Sequence, residues 1–214
     1  MWVVSLAEKP EKTRASRDAI MAAAIEEFCA KGYDGARVDE IVRRAGVSKN
    51  LAYHYFGSKE ALFVAALESI YEDVRRRQSD LGIRDMEPEA GMRQLVEMTA
   101  SIWAEMPHYV RLLNSENLHQ GRHVRKSDKI SRMYDPLLET IEILLHKGVE
   151  RGIFRAGVDP IDLYISVTAL SAHYVANLHT FEALFRTRLA SPDRWQQRLT
   201  HMAEMVLGYL RRPE

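Results

Sequence analysis

Apolar residues recur every three or four positions along most of this chain, with polar residues between them, and this period is typical of amphipathic helices. Near the N-terminus it predicts a first helix over residues 13–31, which Gly32 ends. The next apolar stripe begins at Val38, and its helix ends at Gly46. Ser48 is typical of helix starts, so a further short helix follows after a tight turn. The pattern therefore predicts a helix-turn-helix.

Helical periodicity continues through the rest of the chain, interrupted by glycine and proline. The predicted helices run from Ser58 to about Leu81, Glu89 to Met106, Tyr109 to His119, a stretch ending at Arg151, Ile161 to about Leu189, and Asp193 to Arg211. We therefore predict an all-α fold of about nine helices, with an N-terminal three-helix helix-turn-helix domain and a C-terminal helical domain. The predicted division is a flexible tail over residues 1–12, the helix-turn-helix domain over residues 13–60, and the second domain over residues 61–214.

Composition narrows the functional class only slightly. Thirty Lys and Arg residues balance thirty Asp and Glu residues among 214, so any affinity for nucleic acid must come from a local patch. Cys29 is the only cysteine, which excludes an internal disulfide and a cysteine-based metal cage and agrees with a reducing compartment. No stretch is long and apolar enough to span a membrane. We expect a soluble, cytoplasmic protein with no membrane partner.

A local excess of positive charge lies in the helix-turn-helix. Between Arg43 and Lys59 there is no Asp or Glu, whereas Arg44 and Lys49 add two further cations. Lys49 and Lys59 each follow a serine at a predicted helix start, where a cation opposes the helix dipole. A phosphate held in front of the two helix ends would reverse that effect. The pattern favours a nucleic-acid interface, and a solvated basic surface is the alternative.

Residue types and spacing in this region agree with a known family. The agreeing residues are Ile20, Ala23, Ala24, Phe28, Gly32 and Tyr33, followed by Val38, Ile41, Ala45, Gly46, Val47, Ser48, Lys49, Tyr53, His54, Tyr55, Phe56, Gly57, Ser58, Lys59, Glu60, Ala61 and Leu62. Over about residues 13–70 the chain resembles the DNA-binding domain of the TetR/AcrR family of transcriptional regulators. The resemblance implies an all-α homodimer with a C-terminal ligand-binding and dimerisation domain, and most family members are repressors released by a small molecule.

The resemblance also implies which residues contact DNA. Its recognition helix corresponds to Ser48–Phe56. The residues that stand where the family touches base edges are Lys49, Asn50 and Leu51, and those that stand where it meets phosphates are Ser48, Tyr53, His54, Tyr55 and Lys59. Side-chain chemistry supports this division, because Asn pairs with adenine, Lys donates to guanine and Leu packs on the thymine methyl group. Where the family usually has a hydroxyl cap, this chain has Ala36 and Arg37, so we expect Arg37 to supply a phosphate contact instead.

The last two predicted helices are amphipathic and have a spare apolar face, which favours a four-helix bundle across a two-fold axis. Such a homodimer would present two helix-turn-helix domains to the half-sites of a double-stranded operator. A pocket for an unknown small-molecule effector is expected among the middle helices. Its candidate residues are Met98, Trp103, Met106, Tyr109, His173, Tyr174, Asn177 and Phe181. His173 and Asn177 are the best polar pair, and for each residue plain core packing is the alternative.

Other functional classes find less support. No Gly-rich phosphate loop, Ser/His/Asp set or paired-carboxylate cluster indicates an enzyme, and no cofactor is expected. His119 and His123 have metal-ligand spacing but flank Gly121 and lack a third ligand, so we expect them to be solvated. The basic segment 122–132 is either a second DNA surface or a solvated helix start. An alternative function is a DNA-binding protein of this fold with no inducer, acting architecturally or through a protein partner; a filled second domain would favour it.

Overall fold

The structure of the chain, a computed structural model, describes residues 8–79 and 82–212. Over these residues it contains eleven α-helices, two short 3-10 helices and no strand, which confirms the predicted all-α fold. The α-helices are α1 (Glu8–Gly35), α2 (Val38–Ala45), α3 (Lys49–Phe56), α4 (Lys59–Ser79), α5 (Pro88–Glu105), α6 (Pro107–Leu118), α7 (Asp128–Arg132), α8 (Asp135–Glu150), α9 (Pro160–Ala176), α10 (Leu178–Phe185) and α11 (Pro192–Leu210). The 3-10 helices are Ile83–Asp85 and Val124–Lys126.

The described residues form two compact units, and the division differs from the predicted one. The first unit contains residues 8–72 together with Arg111–Ser131. The second contains residues 73–79, 82–110 and 132–212. The N-terminal unit is therefore larger than residues 13–60, because it includes most of α4, most of α6 and the basic segment that follows α6.

The first helix begins earlier than predicted. It starts at Glu8 rather than at Thr13, so residues 8–12 of the predicted tail are helical, whereas residues 1–7 lie outside the described part of the chain. At Gly32 the backbone leaves helical geometry with φ 67°, as expected for a glycine that ends a helix, and a short helical segment follows to Gly35. The predicted end of the helix at Gly32 is confirmed.

The core of the first unit is formed by aromatic and aliphatic residues of α1 and α4. Phe28 and Phe63 are fully buried, and their ring centroids lie 4.8 Å apart in an edge-to-face arrangement. Cys29 is also buried, and its burial raises the pKa of the thiol to about 12, so the thiol stays protonated at neutral pH. Cys29 is thus a packing residue, not a reactive one.

A buried contact between Glu116 and His123 fixes the segment after α6 within the first unit. Glu116 Oε2 lies 2.7 Å from His123 Nδ1, and Glu116 Oε1 accepts hydrogen bonds from the backbone N–H groups of His123 and Val124. The ring of His123 packs 4.4 Å from Tyr33 and 4.8 Å from Phe63. His123 is therefore buried, and the prediction that it is solvated is wrong. Within the described residues, no group of three His, Cys, Asp or Glu side chains is suited to hold a metal.

Helix α5 is the centre of the second unit and packs against α8, α9 and α11. Ten of its residues are buried, from Pro88 to Trp103. Nearby, the ring of Phe154 lies so close to Gly148 on α8 that a Cβ atom there would meet it at 2.0 Å. Close packing thus explains the glycine inside this helix. In the described part of the chain, no helix combines the length and apolar composition that a bilayer crossing requires.

The predicted single helix from Ile161 to about Leu189 is wrong, because the structure divides it into α9 and α10. The break lies at Asn177, whose φ and ψ of −107° and 10° are not helical. Asn177 Nδ2 donates to the carbonyl oxygen of His173 at 2.9 Å and so satisfies one of the free acceptors at the end of α9. The apolar period continues through this position, which is why periodicity alone did not indicate the break.

Candidate nucleic-acid interface

The turn between α2 and α3 has the conformation that the glycine predicts. Gly46 is left-handed, with φ 66° and ψ 31°, and its N–H group donates to the carbonyls at the end of α2. Val47 N donates to Val42 O at 3.1 Å and closes the turn. Val38, Ile41 and Val42 are buried on the inner side of α2. These contacts hold the start of α3 in a fixed place relative to α2.

A buried carboxylate orients the start of α2. Arg37 makes no side-chain cap, as the sequence predicted from the missing hydroxyl. Glu27 on α1 is fully buried, and its Oε1 atom accepts from Arg37 N at 3.3 Å. Glu27 also lies 2.8 Å from Lys31 Nζ and 3.4 Å from Arg44 Nη2, so its charge is compensated. The side chain of Arg37 is left exposed on the surface.

Helix α3 has one fully buried residue, and most of its polar side chains are exposed. Ala52 is 2 % exposed, and it is the one buried residue of the helix. The exposed residues of this region are Ser48, Lys49, Asn50, Tyr53 and His54, and the half-buried ones are Leu51 and Tyr55. Ser48 Oγ accepts from Leu51 N at 3.2 Å and caps the helix. We call the exposed and half-buried residues of this region, Ser48–Leu51 and Tyr53–Tyr55, the α3 face.

The cations next to the α3 face have acidic partners that the local sequence did not reveal. Lys49 Nζ lies 2.8 Å from Asp39 Oδ1, and the hydrogen bond to Asp39 raises the pKa of Lys49. Arg43 and Arg44 both bond to Glu40, and these hydrogen bonds lower the pKa of Glu40 to about 2. The positive charge of this stretch is thus partly neutralised by acids of α2. Asp39 lies next to Lys49 at the start of α3, and Glu40 lies next to Arg43 and Arg44.

The second predicted phosphate site, at the start of α4, is also occupied by internal contacts. Ser58 Oγ accepts from Ala61 N at 3.0 Å and caps the helix. Lys59 Nζ donates to Asp34 O at 3.3 Å and lies 4.9 Å from the ring centroid of Tyr33. Lys59 is half-buried. A phosphate bound there would share the Lys59 ammonium group with Asp34 O and the Tyr33 ring.

The basic segment 122–132 faces acids of α4 within the first unit. Lys126 Nζ lies 2.6 Å from Glu60 Oε1, and Arg122 lies 3.5 Å from the same oxygen. Lys129 pairs with Glu72. Side-chain contacts to Glu60 lower the pKa of its carboxyl, with the hydrogen bond from Lys126 as the largest cause. These ion pairs give the segment a packing role, which favours neither a free DNA surface nor a fully solvated one.

Four of the predicted pocket residues lie on or next to α5, and three of these four are buried. Met98, Trp103 and Tyr109 are between 5 % and 7 % exposed. The ring centroids of Trp103 and Tyr109 are 5.3 Å apart. Met106 is half-buried and ends α5. Trp103 and Tyr109 are therefore part of the core, the alternative given for each predicted residue, whereas Met106 is not fully buried.

The other four predicted pocket residues lie near the surface of the second unit. His173 is exposed, and Asn177 bonds to its carbonyl, so the polar pair ends a helix rather than facing a cavity. The ring of Phe181 packs 5.4 Å from that of His173. Tyr174 donates its hydroxyl hydrogen to Leu189 O at 3.0 Å. His173 and Asn177 therefore lie at the end of α9, and neither lines the cavity described next.

A cavity of about 360 Å³ does exist within the second unit, in a different place. Met98 lines it, and the other seven predicted residues do not. Its remaining lining includes Arg75 and Gln78 of α4, which sequence reasoning did not assign to a pocket. The sequence offered one weak indication: Arg75 and Gln78 adjoin the apolar stripe of α4, which continues through the buried Val74.

The chain is similar to known bacterial transcriptional regulators over most of its length. Residues 20–66 match the family described as bacterial regulatory proteins, tetR family, and residues 88–206 match the tetracyclin repressor-like C-terminal domain. The HTH-type transcriptional repressor NicS of Pseudomonas putida is 31% identical over 197 residues, which cover 92% of this chain and 93% of that protein. The regulator RutR of Escherichia coli K12 is 25% identical over 209 residues, or 98% and 97% of the two chains. A TetR transcriptional regulator structure from Chloroflexus aurantiacus superposes with a TM-score of 0.71 at 21% identity and covers 95% of this chain and 100% of that one.

Proposed function

Because the chain belongs to the TetR family of bacterial regulatory proteins and is a transcriptional regulator, we propose that it is a homodimeric repressor. It binds an inverted-repeat operator through the α3 face of each subunit and leaves the operator when a small molecule binds the second unit. The exposure of the α3 face carries this proposal, because a helix whose Lys49, Asn50 and Tyr53 side chains are exposed can enter a major groove.

The residues of the α3 face have separate roles in this proposal. Asn50 pairs with adenine, Lys49 donates to guanine acceptors and Leu51 packs on a thymine methyl group. The residues assigned to backbone phosphates are Arg37, Ser48, Tyr53, His54, Tyr55 and Lys59. Phosphate contacts fix the position of the helix without reading sequence, so the two groups of residues differ in what their removal changes.

Dimerisation is proposed through α9, α10 and α11. Large apolar side chains on these helices are 48 % to 67 % exposed in the single chain, and they are Ile161, Ile165, Leu184, Phe185, Met205 and Tyr209. A second copy of the chain is the simplest partner that covers such a surface, because a two-fold axis brings the same patch to both sides. The dimer then presents two α3 faces to half-sites about 34–36 Å apart.

The cavity of the second unit supports regulation by a small molecule over a purely architectural role. Helix α4 begins in the first unit and ends in the second, so it is the element through which we propose that ligand binding alters the helix-turn-helix domain. The effector must bind the released form more tightly than the operator-bound form, typically by about 1–3 kcal/mol.

Selection from a random duplex pool, followed by affinity measurement on the selected sites, tests the proposal. We expect the wild-type chain to select an inverted repeat. Replacing Asn50 by Ala should change the preferred base at one position per half-site and cost about 1–3 kcal/mol on the wild-type site. Asn114, an exposed asparagine of α6, provides the matched control, and Asn114→Ala should select the wild-type site. Equal losses on every duplex for Asn50→Ala, or no selected repeat at all, would contradict the proposed reading of bases.

A further inference from the structure

Arg75 on α4 carries a positive charge that has no acidic partner among the described residues. Its Nη2 atom donates to the Tyr164 hydroxyl at 3.2 Å, and its guanidinium carbon lies 4.2 Å from the ring centroid of Tyr134. Its Nε and Nη1 atoms are shielded from solvent and have no acceptor within the described part of the chain. Buried charged donors are normally paired, so this side chain requires an explanation.

A second shielded polar group lies on the same helix, three residues further along. The side-chain Oε1 atom of Gln78 is buried and has no hydrogen-bond partner among the described residues. Residues three apart on a helix are neighbours on one face. Arg75 and Gln78 both line the cavity of about 360 Å³ in the second unit. Two residues that carry unused polar atoms therefore border one cavity.

The other charged side chains around this cavity have partners of opposite sign. Arg76 Nη2 lies 2.6 Å from Asp73 Oδ1, and Arg84 Nη2 lies 3.1 Å from Glu139 Oε1. These two pairs leave no net charge, and all four side chains are about half exposed or more. Arg75 is thus the uncompensated charge of the lining, and it makes the cavity suitable for an anion.

The remaining walls are mainly apolar. Ile83, Leu95, Met98 and Leu137 line the cavity and are themselves buried. A cavity of this size and character suits a small organic molecule whose body is apolar and which carries few polar groups. Methionine side chains adapt to ligands of different shape, so Met98 does not restrict the body to one outline.

We propose that this cavity binds a small organic carboxylate, whose oxygen atoms accept hydrogen bonds from Arg75 and whose apolar body packs against Leu95 and Met98. Guanidinium groups and carboxylates form strong charge-assisted hydrogen bonds. A carboxylate fits better than a phosphate group, because one uncompensated cation matches one negative charge. Gln78 then receives a hydrogen bond from a donor elsewhere on the ligand. The assignment of this carboxylate as the effector rests on the proposed function.

Calorimetric titration of the full-length protein with paired probes tests the site. The probes are benzoate and octanoate, each compared with its own amide, which has nearly the same shape and no charge. We expect each acid to bind about tenfold to a hundredfold more tightly than its amide. Arg75→Met should abolish that preference, whereas Arg84→Met, which removes a compensated charge from the same cavity, should retain it.

Stability measurements separate a binding role of Arg75 from a structural one. Replacing an unpaired buried charge with an apolar side chain of similar length should leave the thermal unfolding midpoint of Arg75→Met unchanged or raised. If this variant does not fold, Arg75→Lys keeps the charge but not the guanidinium geometry and should lower the preference for acids at least severalfold. Loss of stability in both variants with acid binding retained would assign Arg75 to structure alone and would overturn the proposal.

Several further results would also overturn the site. These are equal binding of acid and amide, tighter binding of inorganic phosphate than of either acid, an unchanged acid preference in Arg75→Met, or no binding of any probe at millimolar concentration. Operator release is measured separately, by adding each acid to the protein–DNA complex. Acid binding that depends on Arg75 but does not release the DNA would support the site and contradict the proposed function, so the two failures are distinguishable.

Discussion

Lys49 has an acidic partner in the free protein, which changes what its charge contributes to DNA binding. Its Nζ atom lies 2.8 Å from Asp39 Oδ1, and the two side chains are 46% and 74% exposed. An exposed pair of this kind contributes about 0–1 kcal/mol to stability. A guanine or a phosphate can therefore readily replace Asp39 as the partner of Lys49. Asp39 then remains beside the α3 face with a negative charge that repels the DNA backbone.

Replacing Asp39 by Asn should therefore strengthen DNA binding. We expect about twofold to tenfold tighter binding to all duplexes alike at low salt, because the change frees Lys49 and removes a repulsive charge. The logarithm of the binding constant should also fall more steeply with salt, by up to about one unit of slope. Fluorescence anisotropy with a labelled duplex over a series of salt concentrations measures both quantities.

Asp73→Asn is the matched control for this change. Asp73 pairs with Arg76 at 2.6 Å on an exposed surface of the second unit, so the substitution alters the same charge in a similar contact. It should leave the salt dependence of DNA binding unchanged. A gain in affinity from both variants would mean that total charge, not the release of Lys49, determines the effect.

At the residue scale the sequence did not indicate how the charges beside the α3 face are paired. Asn50 and Tyr53, assigned to DNA from the family resemblance, are both exposed in the structure. The partner of Lys49 depends on how α2 and α3 cross, and that angle follows from packing rather than from local sequence. The unused donors of Arg75 were beyond prediction for the same reason, because Tyr134 and Tyr164 come from distant parts of the chain.

Among the elements, α3 shows how one residue can serve both helix stability and DNA binding. Ser48 caps the helix through Leu51 N, and its N-terminal position is where we propose that a phosphate lies. Asp caps a helix about as well as Ser, but it would place a negative charge against that phosphate. Ser48→Asp should therefore keep the free energy of unfolding within about 0.5 kcal/mol and weaken DNA binding at least about tenfold. Chemical denaturation and duplex binding of the same preparation provide the two measurements.

Two further variants complete this experiment. Ser48→Ala removes the cap without adding charge, so it should lower the free energy of unfolding by about 0.5–2 kcal/mol and weaken DNA binding less than Ser48→Asp does. Ser191→Asp adds the same charge at the N-cap of α11, in the second unit, and should leave the affinity for a duplex near the wild-type value. Undiminished binding by Ser48→Asp would place the phosphate elsewhere.

Helix boundaries followed the sequence wherever glycine or proline marks them. Gly46 and Pro192 lie at or next to the ends of helices, as their conformational preferences require. The break at Asn177 was missed because neither residue type nor apolar period interrupts the pattern there. It depends on a side-chain hydrogen bond to the end of α9, and such bonds compete with helix continuation too weakly to show in a periodicity.

For the molecule as a whole, the sequence predicted the order of the helices better than their grouping. Residues 111–131 belong to the first unit because Ser115 bonds to Tyr33 N and because Lys126 pairs with Glu60. Ser115 and Tyr33 are 82 residues apart in the sequence, and Lys126 is similarly distant from Glu60, so no local pattern predicts either contact. The first unit therefore includes residues 111–131, which lie well beyond the region that resembles the family's DNA-binding domain.

The homodimer is the remaining property of the whole molecule, and Phe185 tests it. This side chain on α10 is 66 % exposed and stacks on Phe181, so Phe185→Glu should not disturb the fold of a single chain. In the proposed interface it would bury an unpaired charge, which is costly, and we expect a monomer at micromolar concentration by sedimentation equilibrium. Binding to an inverted repeat should fall at least about a hundredfold, because the two half-sites are then bound independently. Leu118→Glu introduces the same charge at an 86 % exposed position of the first unit, and it should remain a dimer. A dimer that survives Phe185→Glu would move the interface away from α10.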